Sequence, residues 1–236
     1  MPDRFFAPSL PESGTLTLDG PEAHHLMHVL RITAGEKVEV FDGRGLVVSA
    51  EVVTIRKRDV ELRIVAARRE ACPAREVILG TAVPKGDRFD WLIEKATELG
   101  VTRIVPLITS RSSVDPRDSK LDKLRQTVIT ACKQCGRNHL LELSPVTAWA
   151  DFVSHEFPNR AAFIAHLSSD ARPLGLGVST LDHQPSTVFA IGPEGGFTEE
   201  EVELAVAAGA KPISLGPLVL RIETAAIAIA ALAAVR

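Results

Sequence analysis

Up to Arg69, apolar residues alternate with polar ones over short β-branched runs. Leu16–Leu18, Lys37–Phe41, Val47–Val53 and Val60–Val65 are β-branched runs with partial period-two alternation, the pattern of half-buried strands. Asp42-Gly43-Arg44-Gly45, between the second and third runs, has the residues of a hairpin turn. One helix is predicted over Pro21–Leu30, with Pro in its first turn and Leu26, Val29 and Leu30 on one face. Together these elements predict a small β-barrel with one helix.

After Cys72-Pro73 the period changes to strands alternating with helices of ten residues or more, the mark of βα units and a mostly parallel sheet. The domain boundary is placed there, giving domains 1–72 and 73–236. Val77–Val83 is a predicted strand. Asp87 is the predicted cap of a helix that carries Phe89, Leu92, Ile93, Ala96 and Leu99 and stops at Gly100. Arg103–Ile108 is the next strand, followed by a long helix over Ser119–Cys135 with Leu121, Leu124, Val128 and Cys132 on one face. Ala161–Ala165, Val188–Ile191 and Pro212–Leu215 read as buried strands. Thr198-Glu199-Glu200-Glu201 forms a capping box for a helix that ends at Gly209, and a last helix covers Glu223–Val235.

Composition narrows the classes. Lys plus Arg number 27 against 30 Asp plus Glu, a net charge of −3, so the whole molecule does not steer to polyanions and any nucleic-acid contact must come from local basic patches. Three Cys are too few for a disulfide framework, and no apolar run follows Met1 as in a signal peptide, so a reduced cytoplasmic setting is expected. The apolar stretch Ala225–Val235 is shorter than the roughly 20 residues that cross a bilayer, so no membrane partner is expected.

Two segments stand out as chemistry. Gly192-Pro193-Glu194-Gly195-Gly196-Phe197 follows Ile191 at a strand end and precedes the capping box; its glycines let backbone approach a ligand closely. The spacing matches neither the dinucleotide nor the P-loop pattern. Leu215-Gly216-Pro217-Leu218-Val219-Leu220 leads into Arg221-Ile222-Glu223-Thr224-Ala225, which sets an Arg, a Glu and a Thr at the entrance of an alanine-rich helix. Thr224 as a cap and Glu223 as a first-turn acid explain part of this, but not Arg221, which a helix N-terminus disfavours. His24 and His28 lie one turn apart, yet no third metal ligand accompanies them, and no metal site is predicted. Cys132 and Cys135 lie inside a helical pattern and read as packing rather than redox chemistry.

On these residues the chain resembles the SPOUT methyltransferases that form N3-methyluridine in 16S ribosomal RNA. Beyond the two loops, Arg4-Phe5-Phe6, His25–Arg31, Lys85-Gly86-Asp87-Arg88, Glu94–Val101 and Gln134–Arg137 fall where that family has its motifs. Ala131-Cys132-Lys133-Gln134 departs from it, since the family commonly has Glu before the Gln. The resemblance implies a PUA-like β-barrel for RNA and an α/β domain tied in a trefoil knot that binds S-adenosylmethionine. It also implies a homodimer meeting partly through the last helix, and 16S ribosomal RNA or the small ribosomal subunit as partner. The rival readings are a SPOUT enzyme for another RNA base and a non-catalytic RNA-binding assembly factor.

The resemblance also distributes roles. Leu167, Ile191, Gly192, Pro193, Gly195, Gly196, Leu215, Gly216, Leu220, Thr224 and Ala225 would hold the cofactor. Arg221 would stabilise the carbonyl oxygens of a deprotonated uracil, its planar fork matched to paired acceptors. For the base, Glu223 and Glu194 compete: the helix dipole suits Glu223 to countering the sulfonium, whereas a partly desolvated Glu194 suits proton transfer. Arg4, Phe5, Phe6, Arg31, Lys85, Asp87, Arg88 and Arg137 are the expected RNA contacts, with Phe5 and Phe6 stacking on splayed bases. Arg56-Lys57-Arg58 and Arg68-Arg69 are further basic clusters.

Overall fold

A computed structural model describes residues 3–113, 119–166, 171–173 and 185–234. The chain packs as two units. One holds the residues up to Cys72 together with Cys132–Leu140, and the other holds Pro73–Ala131 and the chain from Leu141 onward. Cys132–Leu140, which the sequence reading left in the second domain, joins the first unit through its own bonds. Gly45 N donates to Asn138 O, and Leu140 N donates to Gly43 O.

In the first unit the alternating runs pair as β1 (Arg4–Phe6), β2 (Thr15–Leu18), β3 (Lys37–Phe41), β4 (Leu46–Ile55) and β5 (Val60–Arg69). The order across the sheet is β1-β3-β4-β5-β2, and only the β1–β3 pair is parallel. Among the described residues β1 and β2 lie at the two ends of the strand order, and bulges in β4 bend the sheet around Phe5, Val40, Val48 and Leu62. The β3–β4 turn forms where predicted: Asp42 Oδ1 accepts hydrogen bonds from the backbone N–H groups of Arg44 and Leu46.

The predicted helix is real but changes pitch. α1 (Gly20–His24) gives way to a π-helical turn, His25–Leu30, which closes at Arg31 in a left-handed conformation with φ +56°. The wider turn shifts the phase of the side chains. Leu26 is buried as expected, but Val29 is 63% exposed and Leu30 37%, so these three do not share the core face.

The second unit is an eight-stranded, all-parallel sheet with helices between the strands. Its strands are β6 (Glu76–Ala82), β7 (Arg103–Ile108), β8 (Glu142–Leu143), β9 (Thr147–Ala148), β10 (Ala161–Ala165), β11 (Arg172–Pro173), β12 (Ser186–Ile191) and β13 (Lys211–Ser214). They run in the order β11-β13-β10-β12-β6-β7-β8, with β9 also on β7. The helices are α2 (Arg88–Glu98), α3 (Ser119–Cys135), α4 (Trp149–Glu156), α5 (Glu199–Ala207) and α6 (Ile222–Ala234). The central strands are buried on both faces, which is why they read as continuous apolar runs. α2 buries Phe89, Leu92, Ile93 and Ala96 as its period predicts, but Asp87 at its start makes no side-chain capping bond. α4 has no forecast in the sequence pattern; its Trp149, Phe152 and Phe157 stack and tilt together under the sheet.

Gly80 in β6 is the tightest point of this core. A Cβ there would lie 2.1 Å from the ring of Phe152, which is fully buried. Gly80→Ala is therefore expected to destabilise the fold by about 2 kcal/mol, the usual cost of overpacking. That is about 4–8 °C in Tm for a domain of this size. A thermal melt within a degree of the parent protein would contradict this packing.

Candidate active site

The glycine segment is held rigidly at both ends. β12 delivers Ile191, and the chain turns through Gly192–Gly196 to Phe197, which is buried against Trp149 with ring centroids 4.6 Å apart. Gly192 accommodates that anchor, since a Cβ there would come within 3.0 Å of the Phe197 ring. The capping box forms as predicted: Thr198 Oγ1 accepts from Glu201 N, and Glu201 Oε2 accepts from Thr198 N. The other oxygen of the buried Glu201 accepts from Ser110 N at 2.7 Å, tying the loop after β7 to the start of α5. Next to it, Arg111 donates to the carbonyl oxygen of Gly195 at 2.7 Å and of Phe197 at 3.4 Å. Any side chain at Gly195 would press on Arg111, whose Cδ would lie 3.3 Å from the added Cβ.

The second loop faces the first. After β13, Gly216 turns with φ +117°, a conformation that favours glycine. Ser214 Oγ bonds both the N–H and the carbonyl of Gly216, at 3.2 and 3.1 Å. Between the loops lies a cavity of about 310 Å³. Its floor is Ala165, Ile191 and Ser214, at the carboxyl ends of the parallel strands β10, β12 and β13, where open α/β sheets place their ligands. Leu218 and Val219 line it while 73% and 79% exposed, two apolar side chains left uncovered by protein. A volume in this range and walls that are apolar with a few backbone polar groups suit a small molecule with a flat ring.

At the entrance of α6, Arg221, Glu223 and Thr224 lie beside residues that line the cavity without lining it themselves. Ile222 and Ala225 line the cavity one helical turn apart, and Leu220 lines it from the loop. Arg221, between Leu220 and Ile222, is exposed; among the described residues its guanidinium has neither a hydrogen bond nor an ion pair. Glu223 is only 8% exposed; its Oε1 lies 3.8 Å from Arg88 Nε, and its buried Oε2 has no hydrogen-bond partner among the described residues. Thr224 is exposed.

Of the expected cofactor residues, Ile191, Gly192, Pro193, Gly195, Gly196, Leu215, Leu220 and Ala225 meet at the one cavity. Gly216 shapes the second loop without lining the cavity, and Leu167 lies outside the described residues. Glu194 lines the cavity but is exposed, so the desolvation expected of it is absent; the buried carboxylate is Glu223. Arg111 and His166 also line the cavity and were missed by sequence reading. Neither belongs to a spacing motif, because each reaches the site only through strand pairing.

The expected RNA contacts divide. Phe5 is fully buried in the first core, edge-on to His25 with Lys133 over its ring, and is not available to stack on a base. Arg4 is likewise buried: it lies 3.0 Å from Glu39, bonds Asn138 and sits 4.8 Å over the Phe41 ring. Both belong to β1, a strand too short to show a period, and their role is corrected to packing. Arg137 donates to His139 O, and burial pulls its guanidinium below its usual range. Phe6 is half-buried against Phe41, and Arg31, Lys85, Asp87 and Arg88 are exposed. Among the described residues no group of three or more His, Cys, Asp or Glu is placed to hold a metal ion. No described helix is long and apolar enough to cross a membrane.

Comparison with known proteins supplies the family. Residues 70–234 match the model of an RNA methyltransferase domain and residues 18–65 that of an RNA methyltransferase PUA domain. The chain is 32% identical to Ribosomal RNA small subunit methyltransferase E of a Synechocystis species, covering 93% of this chain and 72% of that protein. It is 30% identical to the protein of the same name in Bacillus subtilis, over 91% and 87%. In three dimensions it resembles Ribosomal RNA small subunit methyltransferase E of Neisseria gonorrhoeae bound to S-adenosyl methionine, with TM-score 0.86, 31% identity and coverage of 98% and 95%. With one RNA methyltransferase model covering most of the chain and relatives of one name matching it nearly end to end, this chain belongs to the ribosomal RNA small subunit methyltransferase E family.

Proposed function

We propose that this protein transfers a methyl group from S-adenosylmethionine to N3 of a specific uridine in 16S ribosomal RNA. The observation that carries the reading is the cavity between the two glycine loops, whose lining residues Leu220 and Ile222 are the chain neighbours of Arg221 and of the buried Glu223. When bound, S-adenosylmethionine supplies a methyl group on a sulfonium that is already activated for attack. The chain's own task is then alignment, a proton acceptor and a counter-charge.

The Gly192–Gly196 turn offers backbone polar groups, and Leu218 and Val219 offer apolar cover for an adenine-like ring. Glu223 takes the N3 proton. Its buried Oε2 has no hydrogen-bond partner among the described residues, and the imide N–H of a uracil would provide one. Arg221 places its two-pronged donor on the uracil oxygens as negative charge develops there. Glu194, solvated on the cavity wall, is the weaker candidate for the base.

The reading extends to residues 1–72 as the RNA-holding domain and 73–236 as the SPOUT methyltransferase domain, with Arg31, Lys85, Asp87 and Arg88 among the RNA contacts. A trefoil knot is part of it. Its support is the order of the sheet, in which β12 follows β10 in the chain yet lies between β10 and β6, with α6 packed against β6, β12 and α2. A homodimer through α6 is supported by the adjacent exposed Ala231 and Leu232, since Ala226 and Ala230 are already buried within the chain. The setting is the cytoplasm, with the small ribosomal subunit or its naked RNA as partner.

The test uses the purified protein with S-adenosylmethionine and 16S ribosomal RNA, free or in small subunits, from cells lacking the gene. Nuclease digestion and mass spectrometry are expected to find one new N3-methyluridine. A methyl group on another base would replace the reading with a SPOUT enzyme of different target. No calorimetric binding of S-adenosylmethionine would favour a non-catalytic assembly factor.

A further inference from the structure

A second cavity, of about 560 Å³, lies wholly within the first unit. It is lined by Asp19 at the N-cap of α1 and Gly20 at its first position, by His24, Met27 and His28 across the change from α- to π-helix, and by Lys57 and Arg58 from the β4–β5 turn. The charges around it are unusual for this unit. On the same two strands and their turn, Arg56 is bound by Asp59 and Glu61, Arg63 by Glu51, Arg68 by Glu39 and Arg69 by Glu12. Lys57 and Arg58 are exposed and, among the described residues, have no ion pair or hydrogen bond. In a chain of net charge −3 they are two cations left over at one hollow.

The histidines add to this. His24 and His28 are exposed, with ring centroids 4.7 Å apart, and both face the cavity. The third histidine of the segment, His25, turns inward to Phe5 and Lys133. The π-helical turn that produces this arrangement is a rare conformation that tends to mark functional positions. Two imidazoles so close repel when both are protonated, and an anion between them removes that penalty. Asp19 is the one carboxylate lining the cavity and opposes a second negative charge, which suits a single bridging phosphate rather than a cluster of them.

We propose that this cavity is a phosphate-binding pocket for the RNA backbone, with Lys57 and Arg58 as fixed charges and His24 and His28 as donors that engage in the protonated form. The inference rests on the reading of the protein as an RNA methyltransferase, and gives its first unit a specific anchoring point.

The experiment measures binding of a short oligouridylate to the full chain by fluorescence anisotropy, as a function of salt and of pH between about 5 and 8, where histidine titrates. For Lys57→Gln/Arg58→Gln the affinity is expected to fall about tenfold at moderate salt, and the slope of log affinity against log salt to shrink by about 0.7, as for loss of one phosphate contact on a single strand. For the parent protein, affinity should rise as pH falls; for His24→Gln/His28→Gln it should stay flat across the same range. Melting temperature serves as the folding control, since all four side chains are exposed. In the methylation assay both variants should raise KM for RNA and leave kcat unchanged. A salt slope equal to the parent's, or a pH dependence that survives loss of both histidines, overturns the pocket. So does a parent protein that fails to bind the oligonucleotide. A parent protein that binds with these dependences but methylates nothing overturns the enzymatic reading and leaves the pocket standing.

Discussion

Glu223→Gln is expected to slow methyl transfer by about 10²–10⁴-fold, the usual worth of a positioned general base. S-adenosylmethionine binding should be little changed. Gln keeps the shape of the side chain and can still meet Arg88, 3.8 Å away, but its amide cannot accept the imide proton. The pH profile separates this role from a structural one. As pH rises, uracil loses its own N3 proton more readily, so the rate of the variant should climb with pH while that of the parent protein levels off. A uniformly slow variant with a parental profile would mean that Glu223 only positions the helix entrance. Full activity both in this variant and in Glu194→Gln would remove the carboxylate base altogether. Glu194→Gln is the comparison: solvated and lining the cavity from the loop, it should leave most of the rate intact.

Arg221→Ala is expected to lower kcat by about 10²–10³-fold, in line with removing one preorganised donor from a developing oxyanion. The protein should melt at the parental temperature, because Arg221 is exposed and has no partner to lose among the described residues. Arg221→Lys should recover little of the loss, since an ammonium is a point charge and does not supply two parallel donors. If Arg221→Ala raised only the KM for RNA, the guanidinium would be a backbone-phosphate contact rather than a partner of the reacting base. If Lys restored the full rate, charge alone would suffice and the paired geometry would be wrong.

Several parts of the site are local and were legible along the chain. The capping box at Thr198 and Glu201 forms because both partners lie within one turn and need nothing else. The glycine run at 192–196 marks backbone approach because no other residue allows it, and the fold places it at the carboxyl ends of the strands. Strands and helices of the second unit follow their periods because a parallel sheet buries each central strand on both faces.

Other parts had no local trace. β1 is three residues long, so Arg4 and Phe5 looked like solvent-facing chemistry until partners more than a hundred residues away, Asn138 and Lys133, enclosed them. The π-helical turn was invisible because a change of pitch alters which residues share a face without altering composition. The two glutamates differ by environment: Glu194 and Glu223 are chemically identical, and only packing leaves one in water and the other with a buried oxygen that has no partner among the described residues.

The order of apolar and polar residues thus suffices for the two-part architecture, the helix caps and the existence of a ligand loop, since each depends on neighbours within a few positions. The assembly of that loop with Ser214–Leu220, Arg111 and the α6 entrance came from the register of parallel strands, as did the burial of Glu223. Strand register is set by contacts between residues far apart in the chain, and a cavity is a property of several elements at once, so neither is written in any one stretch of residues.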